Sequence, residues 1–120
     1  MERTVSDDDL KAAGDAFARA YCNRREAKAT HDAAVKRHEA AVVALRRAET
    51  ALDGRAKSGA TSMSSEVRAY GVSLAKVRMS EDDLTAAKDN LKETSAAEDA
   101  AREMLAGLYR IRATATPPEM

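Results

Sequence analysis

The sequence predicts an all-α protein, an elongated antiparallel helical hairpin of coiled-coil type. Three observations predict it: apolar residues spaced seven apart, two long stretches almost free of glycine and proline, and opposite net charge in the two halves. The 120 residues allow one domain. Ala occurs 27 times, whereas Leu, Ile, Val and Phe together number only 17. So few large side chains suit long helices burying narrow seams better than a thick globular core. Twenty basic residues balance twenty acidic ones, which removes the large net charge typical of disordered chains.

The first helix is expected from about residue 6 to 53. Ser6 and Asp9 have the spacing of a reciprocal capping box, and Val5 and Leu10 that of a hydrophobic staple. Asp7, Asp8 and Asp9 also favour the positive end of the helix dipole. Leu10, Phe17, Arg24, His31, His38, Leu45 and Leu52 form one heptad series, and Gly14, Tyr21, Lys28, Val35 and Val42 a second. A third series, Ala13, Ala20, Ala27, Ala34, Ala41 and Ala48, recurs without a miss. Methyl groups beside a seam let a neighbouring helix come close.

Gly54, Gly59 and a run of hydroxyl residues place the turn at about 54–63, with Ser62, Ser64 or Ser65 as candidate caps. The second helix is expected over about 64–112, on Tyr70, Val77, Leu84, Leu91, Glu98 and Leu105. Ser73, Ser80, Ala87, Thr94, Ala101 and Leu108 follow three residues later. The hairpin thus occupies 1–112. Residues 113–120, with Pro117 and Pro118, read as a flexible tail. Met79-Ser80-Glu81-Asp82-Asp83-Leu84 repeats the first helix start, so a break near Ser80 giving a third helix is the alternative. The unbroken phase from Val77 to Leu84 favours one helix.

Residues 19–57 carry ten basic and five acidic side chains, and residues 81–103 three and eight. A turn near residue 59 sets residue i opposite about 118 − i. That register brings the positive stretch against the negative one and Asp7 to Asp9 near Arg110 and Arg112. Each exposed pair adds little, but the shared sign selects the antiparallel arrangement.

Nothing in the sequence sets a nucleophile beside a base, cradles a phosphate or pairs cysteines, so no catalytic residue, cofactor or metal is expected and the protein is read as no enzyme. His31 and His38 lie about 10.5 Å apart along the axis, too far to share a metal, and are read as a pH-sensitive polar stretch of the seam. Cys22, the only cysteine, is expected to be a part-buried helix residue in a reducing compartment. No apolar run is long enough to span a bilayer, and the location expected is cytoplasmic, or virion-associated in a phage.

Val43, Val72, Met79 and Met104 fall off the main stripe and are the candidate partner-binding residues. Arg24, Arg25, Lys36, Arg37, Arg46 and Arg47 form a candidate basic face. The function expected is protein–protein interaction or assembly, as adaptor, stalk, scaffold or virion component, through a protein partner or self-association into an oligomer. The alternative is a nucleic-acid-associated or inhibitory, anti-defence protein using the basic face. In outline the chain resembles two-helix stalk and chaperone proteins of flagellar and type III export, and small helical phage assembly proteins. That resemblance covers shape and composition, and transfers no functional residue. Exported helical-hairpin families with a Trp-x-Gly turn are a poorer fit, since the loop has Asp53-Gly54-Arg55 without the Trp.

Overall fold

The computed structural model describes residues 4–115. They form two helices, α1 (Asp7–Lys57, 51 residues) and α2 (Ser64–Ala115, 52 residues), with no strand among the described residues. Contacts divide the chain into two compact units. The terminal unit combines residues up to Lys28 with those from Asn90 onward, and the turn unit comprises Ala29–Asp89. In each, a segment of α1 runs antiparallel to a segment of α2, so the fold is the helical hairpin that the heptads predict.

The start of α1 follows the local code. Asp9 N–H donates to Ser6 Oγ and Ser6 N–H donates to Asp9 Oδ2, both at 3.1 Å. Leu10, the far half of the staple, is buried. Its end lies further on than the sequence suggests. Gly54 stays helical, because glycine in a helix costs only about 1 kcal/mol relative to Ala. Gly59 has a φ of 74°, the left-handed conformation. Gly59 N–H then reaches Ala56 O at 3.2 Å and Ala60 N–H reaches Arg55 O at 3.3 Å, the paired bonds of a Schellman stop.

Helix α2 opens on the carbonyl of Met63, which accepts from Val67 N–H at 2.8 Å. Met63 thus takes the cap position in place of Ser62, Ser64 or Ser65. The helix continues without interruption through Ser80, so the third helix does not form. The reason is visible at Ser80 itself. Its hydroxyl donates to Val77 O at 2.8 Å inside the seam, where a cap would have to turn it toward the backbone N–H of Asp83. At the far end, Ala113, Thr114 and Ala115, expected to be tail, are helical, with Thr114 Oγ1 donating to Arg110 O at 3.1 Å. The rest of the expected tail, 116–120, lies outside the described residues.

The seam corrects one assignment. In α1 the buried series is Leu10 with Ala13, Ala27 and Ala34, so the alanines themselves supply the second seam position. Gly14, Val35 and Val42 are half-buried at its edge, while Tyr21 and Lys28 are exposed. Ala27 and Ala34 are 2% and 1% exposed, the most enclosed apolar residues of the described chain. In α2 both expected series face the seam, with Val77, Ser80, Ala87 and Glu98 fully buried. Cys22 points outward and is exposed, not part-buried.

Candidate interaction site

Two polar constructions interrupt the apolar seam, one in each unit. In the terminal unit Glu98 is 2% exposed, an unusual place for a carboxylate. Arg24 from α1 meets its Oε2 through Nε, and Arg102, one turn further along α2, meets its Oε1 at 2.6 Å. The Arg102 guanidinium also lies 5.8 Å from the centroid of the Phe17 ring, and those of Arg24 and Arg25 lie 5.9 Å from that of Tyr21. Two cations thus hold one buried anion, as an ion must be held to stay charged away from water. The expected register sets residue 94 opposite Arg24. From that level the Arg24 side chain reaches one turn along α2 to the buried carboxylate of Glu98. Arg112 and Asp7 pair at 2.6 Å near the chain ends, as the charge pattern predicts.

In the turn unit His38 Nδ1 lies 2.9 Å from Ser80 Oγ, the contact that the expected register places there. Ser80 has one hydroxyl proton and two acceptors within reach, Val77 O at 2.8 Å and His38 Nδ1 at 2.9 Å. With that proton on Val77 O, a protonated Nδ1 is the donor across the seam, and with Nδ1 unprotonated the hydroxyl donates to the ring. His31 contacts no such partner, and its Nδ1 lies 3.6 Å from Asp32 Oδ1 on its own helix. Near the turn, Arg55 Nε pairs with Glu66 Oε1 at 3.1 Å, joining the end of α1 to the start of α2.

Beside the His38–Ser80 contact runs an open groove of about 410 Å³. Ala40, Ala41 and Ala44 of α1 and Met79 of α2 form its floor and wall, and Arg37, Lys76 and Asp83 its rim. If the Leu10 and Tyr70 series are position a of their heptads, these groove residues fall at positions c, d and g. Counting α1 over 11–54 and α2 over 67–111, c and g hold seven charged residues, whereas the equally numerous b and e positions hold fourteen. One flank is therefore poor in charge and rich in alanine, and the other is solvated.

The candidate partner-binding residues sort accordingly. Met79 and Met104 are 67% and 64% exposed, and with Val72 they occupy the c and g positions of α2. Val43 is exposed but sits on α1 away from α2, in a shallow depression with Arg46, Arg47 and Thr50. The candidate basic residues do not share one face. Arg24 is drawn into the seam, Arg25 lies over Tyr21 and Arg37 borders the groove, while Arg46 and Arg47 flank Val43 and Lys36 is exposed two turns before it. At 100° per residue, Asp32 and Glu39 fall on that same outward side and dilute its charge.

Sequence reasoning missed the Glu98 cluster and the groove. Glu98 stood in the seam series of α2 with no partner assigned to it, and among the groove alanines only Ala41 stood out, as part of the packed alanine series. A charged residue in a seam position on each helix was the signal for the first. The uneven charge of the two flanks was the signal for the second. No family model, curated protein or solved structure matches the chain. Among the described residues no group of three or more His, Cys, Asp and Glu side chains is placed to hold a metal, and no helix is long and apolar enough to cross a membrane.

Proposed function

We propose that this chain is a non-enzymatic interaction or assembly protein that works through the charge-poor flank of its hairpin. The observation that carries the reading is the groove of the turn unit, where a 67%-exposed methionine stands beside three alanines. A strip of methyl groups admits another helix at close range, and methionine adapts its shape to whatever packs against it. A solvated helix face has no need of either. Adaptor, stalk, scaffold and virion component are all roles that such a surface suits.

A photo-crosslinking residue at position 79, compared with one at position 92 on the charged flank, tests the reading in cells that express the chain. Protein adducts at 79 and none at 92 are expected. Adducts at 79 that nuclease removes would transfer the assignment to nucleic acid, and absence of adducts at both positions would remove this one.

A further inference from the structure

We infer that the occupant of the turn-unit groove is the same groove of a second copy of this chain, docked with the two α2 helices antiparallel about a two-fold axis near Met79 and Ser80. This rests on the reading above and names the partner. The argument comes from the spacing of the rim charges. Lys76 and Asp83 both border the groove, seven residues apart on one face of α2. Seven residues are about 10.5 Å, so the two side chains bracket Met79 and Ser80 almost evenly. A two-fold axis through that midpoint reverses the second α2 and sets Lys76 opposite Asp83 of the copy, and Asp83 opposite its Lys76. A closed dimer requires this self-complementarity, each residue meeting the partner of its own partner. A parallel arrangement would set Lys76 against Lys76 and Asp83 against Asp83.

The walls fit the same geometry. Met79 is the one large apolar side chain of the groove, and Ala40, Ala41 and Ala44 leave room beside it. In the dimer each methionine enters the space that the alanines of the other copy leave open. Four helices then enclose an apolar centre between charged rims, as in a bundle of two hairpins. The alternative two-fold, with its axis along the helices, lays α1 on α2 of the copy. It pairs Arg37 with Asp83 and leaves Lys76 beside Ala44. The two geometries differ in which lysine or arginine answers Asp83, and that difference can be measured.

The test is sedimentation equilibrium of the full chain over micromolar to millimolar concentration, with circular dichroism on every variant. The unaltered chain is expected to dimerise. Met79→Glu and Lys76→Glu should each raise the dissociation constant by about tenfold or more, at unchanged helix content of the monomer. The double exchange Lys76→Glu with Asp83→Lys should restore dimerisation to near its original strength, because each new charge again faces its opposite. Lys92→Glu, on the other flank, should change nothing. A double exchange that stays as weak as the single variants overturns this arrangement. A chain that remains monomeric throughout overturns self-docking altogether, and protein adducts at position 79 under those conditions would still uphold the interaction reading. Loss of both dimer and adducts would remove the two together.

Discussion

The two units of the hairpin are built on the same heptads but close their seams differently. In the terminal unit a charge does it. Glu98 is withdrawn from water and held by Arg24 and Arg102, with Phe17 and Tyr21 beside the guanidinium groups. In the turn unit small side chains do it, with Ala34 against the other helix and one hydrogen bond, His38 to Ser80, near the middle. A buried ion pair is specific but expensive to desolvate, whereas alanine packing costs nothing to desolvate but tolerates no added volume. The difference teaches that one hairpin can fix its register by two unlike devices, each failing under a different kind of substitution.

The largest effect expected is therefore in the terminal unit. Arg24→Met leaves Glu98 with Arg102 alone and should lower stability by about 3 kcal/mol, measured by urea denaturation. Adding Glu98→Leu should recover most of that loss, because the buried charge left with a single partner goes with it. If the double variant is no better than the single one, the cluster is not what closes this seam. In the turn unit the equivalent damage comes from volume. Ala34→Leu should cost about 2 kcal/mol by forcing the helices apart, while Ala29→Leu, on the exposed surface, should cost almost nothing.

Smaller effects sharpen the comparison. Gly59→Ala should cost about 1 kcal/mol through its left-handed backbone, seen as a lower melting temperature with unchanged helix content. Ser80→Ala should cost about 1 kcal/mol, the net value of a hydrogen bond whose surviving partner can turn toward water. The finest test is spectroscopic. Nitrogen-15 NMR of the neutral His38 ring should show the proton on Nδ1, and a proton on Nε2 alone would assign the Ser80 proton to the imidazole in place of Val77 O.

Much of this fold is legible in the sequence, and the misreadings have physical causes. The capping box at Ser6 forms because Ser6 Oγ and Asp9 Oδ2 each accept the other's backbone N–H. The same letters at Ser80 fail because Val77 and Leu84 both belong to the seam, and burying that stripe outweighs a local cap. Gly54 looked like a stop, but only Gly59 adopts a backbone that other residues avoid. Val35 and Val42 looked like seam because they are large, yet the true second position belongs to alanine, whose value is the close approach it permits. The antiparallel order could be read from charge. The ion-pair partner of Arg24 could not, because a long side chain reaches a turn beyond its own level to the buried carboxylate of Glu98. Of the candidate site, Met79 could be found as an apolar residue off the stripe. The alanines beside it could not, since nothing in their sequence context separates a groove from a surface.

The uninterrupted alanine series also constrains how this chain can change length. Removing a single residue within α1 would swing everything beyond it through about 100° and replace methyl groups at the interface by charged side chains. Removing seven from one arm alone would keep each helix in phase yet slide by two turns every cross-helix partner lying beyond the deletion from the turn. Only matched losses or gains of whole heptads, taken from both arms at the same level, preserve the pairing, so length changes inside the paired arms should come in multiples of fourteen residues.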